Sequence, residues 1–227
     1  MGEAESPSGR LVTLRAGLYA ALAGRDLVLL DVLSGHYDLC AGLGDSLQVG
    51  PTGRTLRLTS SAGLETLQAS GVLDDQDQPD LGAPLPPRPT RSLIELAVKP
   101  TLRERLIFAG AWSDLSSHYY GRGLPHLLAF AGAARTRDRR TRLGLPVLER
   151  RARVFHQLSP WAPFPGDCVF RCLMLFRHLH QVGAENVCWV FGVRTWPFYA
   201  HCWLQQGDTA LTDHPEPLAS FTPIFAL

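Results

Sequence analysis

Residues 164–183, FPGDCVFRCLMLFRHLHQVG, decide how the second half of this chain folds. A Pro-Gly turn and the capping acid Asp167 come first, which is typical of a helix N-terminus. Apolar residues then recur at the spacing of a helix with one buried face, at Leu173, Phe176, Leu179 and Val182. The sequence therefore predicts a helix that carries Cys168 in its first turn.

Two cysteines in this helix are candidates for a nucleophile. Cys168 lies where unpaired backbone N–H groups and the positive end of the helix dipole favour a thiolate over a thiol. The same N–H groups can stabilise an oxyanion on an attacked carbonyl. Cys172 lies one turn deeper, where those donors are already used, so Cys168 is the better candidate. Two alternatives stay open: Cys168 is a small buried apolar residue, or both cysteines and a histidine bind zinc, although structural zinc sites favour tighter spacing.

The pattern changes to strands after Gly183, in residues 186–194, 198–206 and 209–213. Alternation along the second strand places His201 and Trp203 on one face. A Cys at a helix start packed against a His on a sheet is the arrangement that a Cys/His hydrolase requires. The imidazole also needs an acceptor that fixes its tautomer, and Asp213 is the candidate.

The turn between the last two strands decides whether Asp213 reaches the imidazole. A two-residue turn of Gly207 and Asp208 places Asp213 opposite Cys202, on the wrong face for His201. A three-residue turn that includes Gln206 places Asp213 directly opposite His201. We therefore predict the three-residue turn.

Other assignments of the same residues remain. A lone histidine on a strand is commonly a core residue, which is the alternative for His201. His214 competes as the base, although it lies at a strand end before a proline. Asp208 competes as the carboxylate, although a turn position already explains an aspartate.

Composition limits the class of protein. The formal net charge is +1, and hydrophobic residues make up 45% of the chain. A folded protein with a core is expected, and no polyanionic partner is indicated, because the one arginine cluster, at residues 135–153, has no matching aromatic pattern. The N-terminus lacks the pattern of a secretory signal, so we expect a cytoplasmic protein with five reduced cysteines.

The first part of the chain predicts strands at residues 11–22, 26–32 and 36–40, which form an antiparallel meander. A short helix is predicted over residues 43–49. Thr59 or Ser60 caps a second helix that reaches about Leu73. Proline and aspartate then replace any periodic pattern. We therefore predict an α+β protein with a first domain at 1–75, a linker at 76–92 and a second domain at 93–227.

The motifs of the second domain, DCVFRCLMLFRHLHQVG, VFGVRTWPFYAHCWLQQGD and LTD, resemble the transglutaminase-like cysteine peptidase of lasso-peptide biosynthesis. In that family the catalytic Cys opens a Cys-x-x-Arg helix, a Gly-Val strand precedes a Pro-Phe-x-Ala-His-x-Trp strand, and an Asp completes the site. The matching residues here are Cys168, Arg171, Gly192, Val193, Pro197, Phe198, Ala200, His201, Trp203 and Asp213. The resemblance implies a transglutaminase/papain-like fold with Cys168, His201 and Asp213 as catalytic residues.

The first domain, with VLLDVLSGHYDLC, resembles the PqqD-like winged-helix domain that recognises precursor peptides. In that family the leader peptide adds as a strand beside the third strand and lies against the last helix. The resemblance implies that substrate contacts come from the third strand and from the helix, at His36, Tyr37, Asp38, Leu39, Cys40, Leu64 and Leu67. Trp203 is a further candidate for lining the cleft. The alternative is a meander that only packs on the second domain.

Together these resemblances imply a leader peptidase without metal or cofactor. Its partners are a precursor peptide and an ATP-dependent asparagine-synthetase-like cyclase that closes a macrolactam. Two other functions stay open. One is a non-catalytic leader-binding scaffold, and the other is acyl transfer to an amine on the same triad.

Overall fold

The structure is a computed structural model that describes residues 9–74, 81–94, 97–135, 144–164 and 166–227. Within these ranges the fold is mixed α+β. The strands are β1 Arg10–Leu14, β2 Leu18–Ala23, β3 Asp26–Asp31, β4 His36–Cys40, β5 Leu47–Val49, β6 Thr55–Leu58, β7 Leu73–Asp74, β8 Arg91–Ser92, β9 Val187–Arg194, β10 Tyr199–Gln206, β11 Thr209–Ala210 and β12 Thr222–Ala226. The helices are α1 Ser61–Ala69, α2 Leu102–Tyr119, α3 Leu124–Arg135, α4 Leu145–Leu158, α5 Cys168–Gln181 and α6 Pro215–Leu218.

The strands form three sheets. One has the order β2-β3-β4 and is antiparallel, as the sequence predicts. A small sheet has the order β5-β6-β1-β7. The third has the order β12-β9-β10-β11-β8, in which only the β11–β8 pair is parallel. Helix α5 packs against the third sheet at β9 and β10, and this contact positions the candidate site.

The predicted first strand, residues 11–22, is in fact two strands in two different sheets. The chain turns between β1 and β2 at Gly17, whose φ is 77°. A Cβ atom at this glycine would lie 2.6 Å from the side chain of Leu33, so no larger residue fits at this turn. A single alternating pattern therefore did not distinguish one long strand from two short ones.

The helix predictions had mixed outcomes. The helix predicted over residues 43–49 is a single 3₁₀ turn, Leu43–Ser46, followed by β5. Ser60 caps α1 as predicted, and its hydroxyl accepts a hydrogen bond from the Gly63 backbone N–H. α5 begins at Cys168 as predicted, because the Asp167 carboxylate accepts from the Phe170 backbone N–H at 2.9 Å. The winged-helix assignment of the first part stays a prediction.

The β2-β3-β4 sheet is buried on both faces where β2 and β3 lie. One face, with Tyr19, Val28 and Leu30, belongs to the same buried cluster as the core of α5 and β9. The other face, with Leu27 and Leu29, packs in a second cluster with α1. The first and second parts of the chain thus share one continuous core, in which a hydrophobic sheet forms the middle layer.

The described part of the predicted linker lies along the third sheet and is hydrogen-bonded to it. The Ala83 backbone N–H donates to the Ala226 carbonyl at 2.8 Å, and the Gln205 side chain donates to the Pro87 carbonyl at 2.6 Å. β8 then pairs with β11. The domain division stays a prediction. Each of the five cysteines is a free thiol, and no helix in the described ranges is long and apolar enough to span a membrane.

A histidine lies in the core between α4 and α5. The Nε2 atom of His178 lies 2.8 Å from an Arg151 guanidinium nitrogen, and its ring stacks on Phe155 with 4.6 Å between centroids. Burial and the Arg151 charge lower the pKa of His178 to about 4. The imidazole is therefore neutral in the folded protein and accepts a hydrogen bond from Arg151.

This histidine predicts a loss of stability in acid. The unfolded chain takes up a proton near the ordinary pKa of 6.5, whereas folded His178 resists protonation until about 4. Lowering the pH from about 7.5 to about 5 should therefore cost about 2 kcal/mol of unfolding free energy from this group alone. His178→Gln keeps an acceptor for Arg151 and should remove this part of the loss in urea denaturation. The exposed His36→Gln change is the control, and an acid loss in His178→Gln equal to that of the wild type would contradict the assignment.

Candidate active site

The structure brings the three predicted catalytic residues together. The thiol of Cys168, at the start of α5, and the imidazole of His201, on β10, line one cavity and interact with each other. The other side of the ring contacts Asp213, with 2.9 Å between Nε2 and Oδ1. Because Nε2 is used on the carboxylate, Nδ1 is the ring nitrogen that faces the sulfur. A thiol, an imidazole and a carboxylate in this order are the groups of a cysteine hydrolase.

The predicted turn before Asp213 is wrong. Gln206 pairs with Thr209, so the hairpin turn has two residues, and Gly207 has the positive φ, 58°, that a tight turn with Gly first uses. Continued pleating from this register would place Asp213 opposite Cys202. The strand instead ends at Ala210, and Asp213 reaches His201 from an irregular segment. The prediction failed because it assumed a regular strand as far as Asp213.

A side chain interrupts the ladder at this point. The Leu211 N–H donates to the Leu204 carbonyl at 2.8 Å, as a regular pair would. The Leu204 N–H, however, donates to the hydroxyl of Thr212 at 3.0 Å. That hydroxyl in turn donates to Oδ2 of Asp213 at 2.7 Å. The linker contributes a further contact, since the Ser92 hydroxyl donates to the Asp213 carbonyl at 2.9 Å.

The surroundings of His201 favour its protonated form. Burial alone would lower the pKa of this imidazole, but the hydrogen bonds to Asp213 and Cys168 outweigh burial and raise the pKa to about 9. Burial likewise opposes ionisation of Asp213, yet its bonds to His201 and Thr212 hold the pKa of the carboxyl below its usual value. The ionised carboxylate therefore makes His201 a stronger base, and it stabilises the imidazolium that forms when the neutral ring takes up a proton.

The surroundings of Cys168 differ from the sequence prediction. The neighbouring Cys202 thiol and burial raise the pKa of Cys168, whereas the His201 imidazole and the Cys202 backbone N–H act in the opposite direction. The helix start alone therefore does not hold a thiolate here. Transfer of the thiol proton depends on the imidazole beside it.

The start of α5 is held by a residue that the sequence did not single out. The hydroxyl of Tyr119, at the end of α2, donates to Oδ1 of the capping residue Asp167 at 2.7 Å. The Tyr119 ring also packs edge-on against Phe170, with 5.0 Å between centroids. Two helices thus fix the turn that carries Cys168. No local pattern could have indicated this, because the two partners are far apart in sequence.

A cavity of about 390 Å³ lies on the α4 side of Cys168 and is called the α4 cavity. Its walls include Cys172, Arg171 and Asp213, together with His156 and Ser159 from α4 and the turn after it. Burial and the charge of Arg171 hold the pKa of His156 below its usual value. Arg171 of the Cys-x-x-Arg motif thus lies on the same cavity wall as Asp213, the candidate carboxylate.

A second cavity, of about 280 Å³, lies between Cys168 and the N-terminal sheet and is called the β4 cavity. Its walls combine residues of both parts of the chain: Gly35, Tyr37, Tyr119, Leu124, Leu127, Cys168, Val169, Phe191, Ala200, His201 and Cys202. Tyr37 also contacts Phe198, with 5.6 Å between ring centroids. The start of β4 is therefore a wall of the candidate active site.

The hairpin between β9 and β10 fastens this arrangement. The indole N–H of Trp196 donates to the Asp26 carboxylate at 2.7 Å, and the Thr195 hydroxyl donates to the Ala23 carbonyl at 3.2 Å. Both acceptors lie at the β2–β3 turn. The hairpin residues Thr195 and Trp196 thus join the His201 strand to the N-terminal sheet.

The predicted substrate-binding residues differ in accessibility. His36, Asp38 and Leu39 are exposed on β4, while Tyr37 and Cys40 are half-buried. On α1, Leu64 is half-buried, but Leu67 is 0% exposed and belongs to the core. The structure therefore leaves His36, Asp38 and Leu39 accessible and Leu67 inaccessible.

Trp203 does not line the cleft. It is 1% exposed, its indole N–H donates to the Gln205 side chain at 2.9 Å, and it packs in a separate cluster with Leu218. Gly192 on β9 allows this packing, because a Cβ atom there would lie 2.6 Å from the Trp203 ring. Trp203 thus supports the strand that carries His201, and its burial makes it inaccessible to a substrate in the cleft.

The competing candidates lie outside the triad. Asp208 occupies the hairpin turn and pairs with Arg91 at 2.8 Å. His214 is exposed and precedes α6. Among the described residues, no cluster of three His, Cys, Asp or Glu side chains is arranged to hold a metal.

Comparison with known proteins identifies the second part of the chain. Residues 116–226 match the family model of the transglutaminase-like superfamily. Over residues 116–226 the chain is thus similar to this family, and the similarity indicates an activity of the cysteine peptidase or acyltransferase type. The matched range contains α3 to β12 and all three catalytic candidates. Neither the curated proteins nor the solved structures gave a match, and the matched range excludes residues 1–75, whose PqqD-like assignment stays a prediction.

The Asp213–His201 contact predicts a measurable shift. Asp213→Asn removes the carboxylate that raises the pKa of His201 to about 9, so the pKa of His201 should move towards its ordinary value of 6.5. An NMR titration of the imidazole, assigned with a His201→Gln variant, measures the shift. Asp208→Asn makes the same chemical change in the hairpin turn and should leave the titration in place. An unmoved His201 titration in Asp213→Asn would refute the contact.

Proposed function

We propose that this protein is a cysteine peptidase that hydrolyses the leader–core bond of a ribosomal precursor peptide. The observation that carries the proposal is that Cys168, beside His201, lies in a cavity whose wall is the start of the edge strand β4. One site thus combines a nucleophile with a strand that a peptide can extend. The transglutaminase-like domain supports the chemistry, and the resemblances of the sequence support the substrate class.

The reaction runs in two halves, acylation of Cys168 and hydrolysis of the thioester, and His201 moves a proton in each. His201 takes the thiol proton as the Cys168 sulfur attacks the carbonyl carbon of the scissile bond. The tetrahedral intermediate collapses, the carbon–nitrogen bond breaks, and His201 gives its proton to the leaving amine. A thioester remains on Cys168. Water then attacks this thioester with His201 as base, which releases the leader carboxylate and restores the thiol. Asp213 stabilises the imidazolium that forms twice in this cycle.

The leader adds to β4 as a further strand. β4 pairs with β3 on one side, and no other strand in the described ranges pairs with its second side. The backbone groups of that side are then available to an extended peptide. Leu39, 42% exposed on this strand, offers the peptide an apolar contact.

The cavity also sets the direction of the bound peptide. β4 begins at His36, next to the Gly35 and Tyr37 wall of the β4 cavity, and runs away from it towards Cys40. The scissile bond lies at the C-terminal end of a leader, so that end must be the one that reaches Cys168. The leader therefore runs antiparallel to β4.

Cleavage of the leader–core bond frees the amine of the core peptide. In the proposed pathway step this amine is the substrate of a partner, an ATP-dependent asparagine-synthetase-like cyclase, which joins it to a side-chain carboxyl group. The peptidase itself needs neither metal nor cofactor for the steps above, because the thiol, imidazole and water supply every atom and proton that moves.

The proposal predicts cleavage at one bond. The precursor peptide from the same gene neighbourhood, incubated with the protein with and without the cyclase, should yield two fragments whose masses sum to the precursor plus one water. Cys168→Ala should lose cleavage but still bind the leader, whereas Cys188→Ala, in a separate cluster on β9, should cleave normally. Incorporation of an added amine in place of water would indicate acyl transfer. Binding by the wild type without cleavage, even with the cyclase, would indicate a scaffold.

The β4 edge predicts a separate effect on binding. Leu39→Glu places a charge on the exposed apolar side chain of β4 and should raise KM by about tenfold, since an apolar contact of this size contributes about 1–2 kcal/mol, while kcat stays the same. Leu11→Glu makes the same change on β1, where the side chain is 62% exposed, and should leave KM unchanged. Equal KM values for both variants would place the leader elsewhere.

A further inference from the structure

We propose that Thr212 is a positioning residue, which replaces a backbone partner in the β10 ladder with its hydroxyl and so turns Asp213 towards His201. This inference deepens the proposed function, and its test by kcat rests on that function. Its test by the His201 titration does not depend on the proposed function. No property of the sequence assigned a role to this threonine, which lies at the second position of the LTD motif.

The direction of both hydrogen bonds at the hydroxyl follows from the chemistry of its partners. The Leu204 N–H can only donate, so the Thr212 oxygen accepts at 3.0 Å. The Asp213 carboxylate can only accept, so the hydroxyl hydrogen points to Oδ2 at 2.7 Å. The hydroxyl thus accepts one hydrogen bond and donates another. The hydroxyl can satisfy both partners, and no apolar side chain can satisfy either.

The two oxygens of the carboxylate have separate partners. Oδ2 accepts from Thr212, and Oδ1 lies 2.9 Å from Nε2 of His201. Leu204 and His201 belong to the same strand, β10, three residues apart. The Leu204 amide thus binds the Thr212 hydroxyl, the hydroxyl binds the Asp213 carboxylate, and the carboxylate binds the imidazole of the same strand. The carboxylate therefore cannot rotate without breaking one of these bonds.

Burial makes the hydroxyl necessary at this position. Leu204 is 0% exposed, so its backbone N–H has no access to water and needs a partner inside the protein. Behind the threonine, the Cys172 sulfur lies 3.9 Å from its oxygen and donates its own hydrogen bond to the Cys202 carbonyl at 3.3 Å. β-Branching restricts the side-chain rotamers of a threonine, which favours the single orientation seen here.

The two-residue hairpin turn explains why such a device is needed. Its register would place residue 213 on the face of Cys202, as the Gln206–Thr209 pair fixes. A ladder that continued would keep Asp213 away from His201. When a side-chain oxygen takes the Leu204 N–H, the backbone after Leu211 leaves the regular strand path, and Asp213 can face the imidazole.

The experiment compares Thr212→Val with Thr212→Ser. Valine keeps the shape but removes the hydroxyl, so the His201 titration should move to lower pH and kcat on the precursor peptide should fall about 10-fold to 100-fold with little change in KM, the size of effect usual for residues that orient a catalytic group. Serine keeps the hydroxyl and should restore the titration of the wild type and at least a third of its kcat. Thr209→Val, on β11 beside the turn, is the matched control and should change neither quantity.

The outcomes separate the two proposals. A Thr212→Val protein that only unfolds at lower temperature, with its His201 titration and kcat unchanged, would show that Thr212 is merely structural and would overturn the inference. A wild-type protein that does not cleave the peptide would refute the peptidase proposal, while the His201 titration would still decide the role of Thr212. Should Thr212→Val not fold, Thr212→Ala gives the same comparison.

Discussion

The candidate site depends on one hydrogen bond, the contact of 2.9 Å between the His201 imidazole and the Asp213 carboxylate. Three separate parts of the chain meet around this bond. The β9–β10 pairing fixes His201, the Thr212 hydroxyl and the linker residue Ser92 fix Asp213, and α5 brings Cys168 to the other side of the ring. Because an ionised carboxylate favours the protonated imidazole, this bond also favours proton transfer from the half-buried thiol of Cys168.

Much of this site was predictable from local patterns, and the rest was not. The start of α5, the strand of His201 and the capped helix at Ser60 follow from helix and strand periodicity and from capping residues, and the structure has them. The turn before Asp213 was predicted wrongly, because alternation describes a strand only while backbone pairs with backbone. Thr212 breaks that condition with a side chain, and no pattern of apolar residues encodes such a substitution.

Contacts between distant residues were also beyond the sequence. Trp203 shares a face with His201 and was expected in the cleft, but Gly192 leaves space for its ring and it packs inwards. Tyr119 holds the cap of α5 from another helix, and Trp196 reaches the Asp26 carboxylate in the N-terminal sheet. Each of these contacts joins elements that are adjacent only after folding.

The middle position of the β2-β3-β4 sheet has a mechanical consequence. Since one face of this sheet is part of the core beneath α5, β4 cannot move independently of the nucleophile without opening that core. Under the proposed function, a peptide held on β4 meets Cys168 at a constant number of residues from its anchoring point. The protein would then act as a ruler: position along the leader would select the bond that is cut, and the residues on either side of that bond would be left comparatively free to vary.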